Sequence, residues 1–187
     1  MFGSAIALAV AALLTDSPVE PRCGAERRTV KTLTDSGAAT IKREPKTITV
    51  EELIAIHAPP FREDRPRNQV EKTVYAVTAN VVGFKLETGD GDYHVVIAGD
   101  SGATMIAELP DPACVKGSVA EKEITSARTA FVEQFGKPLR GVYRKLGKPI
   151  HVRLVGVGFF DLLHRQTGVA SNGIELHPIL RIELIGS

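Results

Sequence analysis

Tryptophan is absent from this 187-residue sequence, and the other aromatic residues are few, with seven phenylalanines and three tyrosines. Proteins that hold single-stranded nucleic acids use aromatic side chains as stacking platforms, and this composition offers few of them. Basic residues outnumber acidic ones by only 23 to 22, so the net charge is +1. Dedicated binders of double-stranded nucleic acid are usually far more basic, so any such role would depend on a local patch.

Long hydrophobic runs are also missing. The clearest apolar run covers residues 5–14, whereas a helix that spans a bilayer needs about 20 apolar residues. A run of this shorter length is typical of a secretory signal peptide, and Ala9-Val10-Ala11 supplies a cleavage pattern. We therefore predict a signal peptide over residues 1–12 and a secreted, periplasmic or cell-envelope protein without a transmembrane segment after cleavage. The alternative is a buried N-terminal helix.

Cysteine is scarce, with Cys23 and Cys114 as the two examples. Two cysteines cannot build a zinc site alone. An even number of cysteines in a chain with export features predicts a disulfide bond. A Cys23–Cys114 bond would close a loop of about 91 residues, for which the chain-entropy model gives roughly 4 kcal/mol of stabilisation. The alternative is a pair of unpaired buried thiols.

The apolar pattern predicts a mostly β fold with one main helix. Five strands are expected, over residues 74–87, 93–98, 104–109, 150–160 and 174–185. The first strand changes its inward face at Gly83, which predicts a β-bulge. Ser118 and Glu121 form a capping-box pattern before a helical repeat that ends at Gly136. This order matches a five-stranded OB-like Greek-key barrel over residues 69–187, and a generic α+β roll is the alternative.

Residues 13–68 are predicted to form an N-terminal arm, because the segment is poor in large apolar residues. Within it we predict a short strand over 29–33. Thr49 and Glu52 form a second capping-box pattern, which predicts a short helix over 49–56.

Carboxylates and imidazoles recur near the ends of three predicted strands. They are Asp92, His94, Asp161, His164, Glu175 and His177. Glu175 and His177 lie two residues apart on one strand, so their side chains project to the same face. If the strands adjoin, this set could surround a divalent metal or another ligand. The alternative is a set of turn residues and surface histidines, since no compact metal-binding spacing is present.

Basic residues follow the predicted helix without an intervening acid. They are Lys137, Arg140, Arg144, Lys145, Lys148 and Arg153. OB barrels often hold single strands in basic grooves, so this run is a candidate nucleic-acid patch. A solvated loop is the alternative. Because the net charge is nearly neutral, we expect at most weak, salt-sensitive binding of single-stranded nucleic acid, or of glycan.

Several stretches resemble an uncharacterised family of exported bacterial proteins. They are CG at 23–24, VKTLTD at 30–35, DYHV at 92–95, MIAELPDPAC at 105–114, GVGFFD at 156–161, His164, TGVA at 167–170 and NGIELHP at 172–178. The resemblance covers nearly all of the chain after the predicted signal peptide. It implies export and a Cys23–Cys114 disulfide, and it implies no activity.

A looser similarity is to the thermonuclease-like OB barrels. It lies in Asp90-Gly91-Asp92, the strand over 104–109, and Asp111-Pro112. In that family the third strand carries a catalytic arginine, and this sequence has Ile106 at the matching position. Asp90, Asp92 and Asp111 would remain as calcium ligands, with Arg153 or Arg181 as substitutes for the arginine. The resemblance therefore predicts no thermonuclease-like activity, since an apolar side chain cannot stabilise the developing charge.

Three functions fit these features. The first is a secreted, non-catalytic binding module without a cofactor, because no nucleophile–base pair is evident. The second is a metal-dependent hydrolase or phosphodiesterase that uses the six carboxylate and imidazole residues. Convergence of those side chains in one cleft is the observation that would favour it. The third is a structural envelope protein, which would have no cleft.

Overall fold

The computed structural model describes residues 23–164 and 166–186, and the fold is mostly β, as predicted. The elements are α1 (Arg28–Lys31), β1 (Lys42–Thr47), α2 (Val50–Ile54), β2 (Thr73–Leu86), β3 (Tyr93–Ala98), β4 (Thr104–Leu109), α3 (Glu121–Phe135), β5 (Arg144–Phe160) and β6 (Ile174–Leu184). The predicted signal peptide, residues 1–12, lies outside the described part of the chain. Among the described residues, no helix is long and apolar enough to cross a membrane.

The six strands form one sheet in the order β1-β2-β3-β4-β6-β5, and β5 pairs again with β2. Strands β2 to β6 therefore close a ring of paired strands. Within the ring β4 and β6 run parallel, and the other pairs are antiparallel. The prediction of five strands is wrong by one, because β1 adds to β2 in parallel outside the ring. Its exposed side chains and Pro45 give no alternating apolar signal, which is typical of an edge strand.

The bulge predicted in the first ring strand is present. The register of β2 against both β3 and β5 shifts between Val81 and Gly83. A Cβ atom at Gly83 would lie 2.8 Å from the backbone oxygen of Arg144, so the close approach of these segments requires glycine. The bulge lets one strand contribute apolar side chains to the core on both sides of the bend.

Apolar side chains from the inner faces of the ring strands form the main core with α3. The Phe131 ring of α3 meets Phe84 edge-on at 5.2 Å and stacks on Phe135 at 4.7 Å. The helix begins at Glu121 without a side-chain cap, so the capping box predicted for it is wrong. Ser118 instead accepts from the Ala120 amide within the preceding turn. The other capping box, Thr49 with Glu52 at the start of α2, is confirmed.

The segment predicted as an arm covers the outer face of β2 and β5. Its apolar side chains form a second buried cluster with outward-facing residues of those strands: Leu33, Ala38, Ile41, Val74, Ala76, Val155 and Val157. The short strand predicted over 29–33 is wrong, because this region contains α1. β-Branched side chains such as Val30 and Thr32 favour strands but also occur in helices. In this protein the tertiary context overrides that preference.

Two covalent or ionic links hold α1 in place. The predicted Cys23–Cys114 disulfide is confirmed, and it joins the start of the described chain to the segment after β4. Four residues further, Arg27 forms an ion pair with Glu71, and both side chains are completely buried. Arg65 and the Asn68 amide also donate to the Glu71 carboxylate. Burial raises the pKa of Glu71, but the hydrogen bond from Arg27 and the other donors outweigh it and lower that pKa.

Candidate functional site: a cavity with two imidazole–carboxylate pairs

A polar cavity of about 340 Å³ lies against the outer faces of β4 and β6, between α1 and the turns around residues 87–90 and 161–167. Among the described residues, six acidic side chains line it: Glu26, Glu87, Asp90, Glu108, Asp161 and Glu175. Four basic or imidazole side chains from the same described part of the chain face them: Lys31, Lys85, His164 and His177. Its volume falls within the range of small-molecule sites, and its polar lining excludes a purely apolar ligand.

Strand alternation places polar side chains on this outer face. Ala107 of β4 and Leu176 of β6 pair with each other and belong to the main core. Their sequence neighbours Glu108, Glu175 and His177 therefore project to the opposite face. On β3, His94 occupies the position directly across from Glu108. The paired strands thus bring together carboxylates and imidazoles that are distant in sequence.

The first imidazole–carboxylate group has three members, because the His177 ring lies between two carboxylates. His177 Nε2 lies 3.4 Å from Asp92 Oδ2, and Nδ1 lies 3.7 Å from Glu175 Oε2. The other oxygen of Asp92 accepts from the Asp111 amide at 2.9 Å, which fixes that carboxylate. Burial lowers the pKa of His177, but Asp92 and Glu175 outweigh burial and raise the pKa to about 9. His177 is therefore an imidazolium at neutral pH.

This buried imidazolium predicts a fall in stability at alkaline pH. The pKa of His177 rises from an ordinary 6.5 to about 9 on folding. The contribution of its positive charge to the free energy of unfolding is therefore fully present below about pH 6.5 and is lost as the pH rises through about 9. We expect a loss of about 3 kcal/mol in unfolding free energy between pH 6 and pH 10. Burial also raises the pKa values of Glu108 and Glu175. Ionising these two buried carboxyls as the pH rises lowers the stability as well.

Urea unfolding curves recorded across this pH range measure the effect. Three charged residues affect the pKa of His177: Asp92 and Glu175 raise it, and Lys31 lowers it. In the His177→Gln variant the slope between pH 6 and pH 10 should be much smaller than in the parent protein. Equal slopes in the two proteins would contradict the prediction.

The second pair joins His94 to Glu108. His94 Nδ1 lies 3.0 Å from Glu108 Oε1, and Nε2 donates to the backbone oxygen of Thr167 at 2.8 Å. Burial lowers the pKa of His94, and the interaction with Glu108 more than offsets this, so the pKa is raised. Since a carbonyl oxygen only accepts, Nε2 carries a proton in both charge states of the ring. His94 is therefore held in one orientation against Glu108.

Lys31 supplies a cation from α1. Its Nζ atom donates to Asp161 Oδ2 at 3.0 Å and lies 5.2 Å from the centre of the Phe159 ring. The second oxygen of Asp161 accepts from the Leu162 amide at 2.9 Å. Burial lowers the pKa of Lys31, but Asp161 and Glu175 outweigh it and raise that pKa. The ammonium group is thus a permanent positive charge in the cavity wall.

Two buried carboxylate oxygens of the cavity have no hydrogen-bond partner among the described residues. They are Glu108 Oε2 and Glu175 Oε1, and in each case the second oxygen of the same carboxylate faces an imidazole. An unpaired buried acceptor costs about 1–3 kcal/mol, and more when it is charged. Both ring nitrogens of His177 are also buried without a hydrogen bond. The unpaired carboxylate oxygens are therefore candidates to accept a proton.

The structure brings the six carboxylate and imidazole residues predicted from the sequence into one region. Asp161, His164, Glu175 and His177 line the cavity. The remaining two do not line the cavity but contact residues that do: Asp92 contacts His177, and His94 contacts Glu108. His164 is exposed, whereas the other five side chains are buried.

Sequence reasoning missed Glu108 and Lys31. Glu108 could have been found, because the turn between the second and third predicted strands places it across from His94. Lys31 gave no signal, since it approaches from α1, which packs against the sheet only in the folded chain. Glu26, Lys85 and Glu87 were also missed, and the last two lie in the strand predicted over residues 74–87. Asp90 was considered only as a calcium ligand in the thermonuclease-like resemblance.

The candidate nucleic-acid patch lies elsewhere. None of its six residues lines the cavity, and the patch follows the segment after α3 and the first half of β5. Arg140 donates to the Thr88 backbone oxygen, and Arg144 donates to that of Phe135. Its role in binding nucleic acid stays a prediction.

The thermonuclease-like features are only partly assembled. Ile106 is fully buried, so the position of the expected arginine faces no solvent. Neither Arg153 nor Arg181 lines the cavity, and Arg181 pairs with Glu183 on the exposed surface. Among the described residues, Lys31 and Lys85 are the lysines that line the cavity.

Comparisons with known proteins identify no family for the chain. No family model matches it, and no curated protein matches it. Among solved structures, it is similar to a crystal structure assigned as an aspartyl-tRNA synthetase from Leishmania major Friedlin, with 13% identity and a TM-score of 0.45. The match covers 80% of this chain and 22% of that protein, so the chain spans about a fifth of its length.

Proposed function

We propose that the protein is a metal-dependent hydrolase that acts on small phosphodiesters in the polar cavity. The observation that carries this proposal is the arrangement of Glu108 and Glu175. Each has one carboxylate oxygen beside an imidazole, and each has its other oxygen buried in the cavity wall without a partner. Buried carboxylates with raised pKa values that lie beside imidazoles are typical of acid–base catalysis.

The two glutamates can supply both a proton acceptor and a proton donor. Burial raises the pKa of each, and the negative charge of Glu108 further raises the pKa of Glu175, which favours a state in which one is ionised and the other protonated. In the proposed reaction, the oxygen of water bonds to the substrate phosphorus while the water proton passes to the ionised glutamate. The bond to the leaving oxygen breaks, and that oxygen takes the proton of the other glutamate.

The charge of the cavity supports dependence on a metal. Among the described residues of the lining, six acidic side chains face Lys31, Lys85 and the imidazolium of His177, so this part of the lining has more acidic than basic groups. An anionic substrate would be repelled unless a divalent cation entered with it. Lys31 and Lys85 would then help to stabilise the developing charge. The six residues of the candidate nucleic-acid patch lie outside the cavity, so small phosphodiesters fit this site better than long strands.

Hydrolysis of bis(p-nitrophenyl) phosphate by the purified chain, with zinc, manganese or calcium, tests the proposal. We expect Glu175→Gln and Glu108→Gln each to lower kcat by about 10²-fold or more, because each removes a proton-transfer group. Glu183→Gln is the matched control, since Glu183 lies on the same strand and is exposed. Activity that is equal in all four proteins would mean a contaminating hydrolase and would overturn the proposal.

The second candidate is the non-catalytic binding module. It is favoured because Lys31, His94 and His177 each pair with a carboxylate of the protein. The charges of these groups are therefore balanced within the site. Such a preorganised cavity can bind a polar ligand such as a glycan without any reaction. Ligand-induced thermal stabilisation that Glu175→Gln removes, with no turnover of any ester, would select this candidate.

We further propose that the fold is an OB-like barrel and that the protein is exported. The closed order β2-β3-β4-β6-β5, with α3 between β4 and β5, supports the barrel assignment. The Cys23–Cys114 bond supports export, because disulfides persist in oxidising compartments. Membership in the uncharacterised family of exported bacterial proteins that the sequence resembles is part of the same proposal.

A further inference from the structure

We infer that Glu26, Asp161 and His164 form a binding site for a zinc ion at the edge of the cavity. The inference deepens the proposed function, on which its catalytic role rests, by naming the metal and its ligands. Binding of the ion is measured separately from any hydrolysis. The three residues come from the segment before α1, the end of β5 and the turn that follows β5.

The geometry of these side chains suits one ion. Each offers one ligand atom, and the three atoms lie within 4.8 Å of one another. Zinc binds nitrogen and oxygen ligands at about 2.0–2.2 Å, so a modest inward rotation would bring all three within reach. Glu26 and His164 are exposed and free to make that rotation, whereas Asp161 is buried and anchored by the Leu162 amide.

A second observation points to a ligand at the same place. Glu175 is 1% exposed, lines the cavity together with the three residues, and has an oxygen without a hydrogen-bond partner. Water on the fourth position of the ion would give Glu175 a hydrogen-bond donor, and three protein ligands with one open position are typical of catalytic zinc.

The donor set selects the metal. Calcium usually takes six to eight oxygen ligands, and magnesium prefers waters and carboxylates in a rigid octahedron. An imidazole nitrogen beside two carboxylates suits a first-row transition ion, and zinc lies near the top of the affinity order for such sites. We therefore expect zinc to bind much more tightly than calcium.

Lys31 provides a distinguishing feature, because its ammonium group lies 3.0 Å from Asp161 Oδ2. A metal on Asp161 must compete with this positive charge. Replacing Lys31 with methionine keeps the aliphatic stem over Phe159 and removes the charge. At this site the Lys31→Met variant is expected to bind zinc on the order of tenfold more tightly.

Isothermal titration of the untagged, chelator-treated protein with zinc chloride tests the inference. We expect one zinc per chain, about 100-fold weaker binding or worse in His164→Ala, and unchanged binding in His57→Ala. His57 is the control because it is exposed and does not line the cavity. Circular dichroism melting curves of the variants show whether each remains folded.

The possible results separate the inference from the proposed function. Equal zinc binding by the parent protein and His164→Ala, weaker binding by Lys31→Met, or no binding at millimolar zinc would overturn the inference. Zinc binding that depends on His164, together with no hydrolysis of any phosphodiester, would support the site and contradict the hydrolase.

Discussion

Replacing Glu71 with alanine is expected to lower the free energy of unfolding by about 3–5 kcal/mol, measured by urea denaturation. The Arg27 and Glu71 side chains are both completely buried, so the variant leaves the Arg27 guanidinium in the interior without its main partner. Arg65 loses the same partner. Removing one member of a buried pair costs more than the pair contributes, because the remaining charge stays desolvated.

The control for this prediction is Asp64→Ala, which breaks the exposed ion pair with Arg62. Exposed pairs contribute about 0–1 kcal/mol, so this variant should be nearly as stable as the parent protein. Replacing Glu71 with glutamine removes the charge and keeps one of the two acceptor oxygens, both of which accept hydrogen bonds in the parent protein. An intermediate loss is expected. A Glu71→Ala variant as stable as Asp64→Ala would show that Arg27 reaches solvent when Glu71 is removed.

The Cys23→Ala/Cys114→Ala double variant is expected to lose about 4 kcal/mol of unfolding free energy. The bond closes a loop across a sequence separation of 91 residues, and the chain-entropy model assigns roughly this amount to a loop of that length. The loss should appear in chemical denaturation of the double variant without reductant. It should also weaken the anchoring of the segment that carries Glu26 and Lys31 to the cavity.

Reductant provides the internal control for the disulfide. Adding it should destabilise the parent protein by a similar amount and leave the double variant unchanged. Hydrogen exchange of the α1 amides should become faster in the variant than in the parent protein, while exchange in β4 should change less. A double variant within about 1 kcal/mol of the parent would mean that the ion pair of Arg27 and Glu71 alone holds the segment.

Local sequence signals predicted the regular elements well where one face of a strand or helix is buried. The predicted bounds of β3 and β4 match the structure, and the bulge at Gly83 lies at the predicted position. The predictions failed where the local signal was weak. In β1 every side chain except the half-buried Pro45 is exposed, and α1 is only four residues long. β5 begins at Arg144 in an exposed segment without an apolar repeat.

The candidate site was predictable in its residue types and only in part in its geometry. The period of two along a strand places Glu175 beside His177, and this required no tertiary information. The pairing of His94 with Glu108 depended on the register of β3 and β4, which the turn between them sets. His177 lies close to Asp92 only because segments that are distant in sequence come together in the fold.

The amino-acid sequence alone was enough to predict a mostly β chain and a disulfide between its two cysteines. It also identified six carboxylate and imidazole residues as candidate site residues. Hydrophobic periodicity is a local property, so it carries this information without the fold. Tertiary contacts were needed to bring Lys31 and Glu26 to the cavity, to pair Arg27 with Glu71, and to raise the pKa of His177. Burial and the distances between charges depend on the packing of α1 and the ring of strands, and no short stretch of sequence contains either quantity.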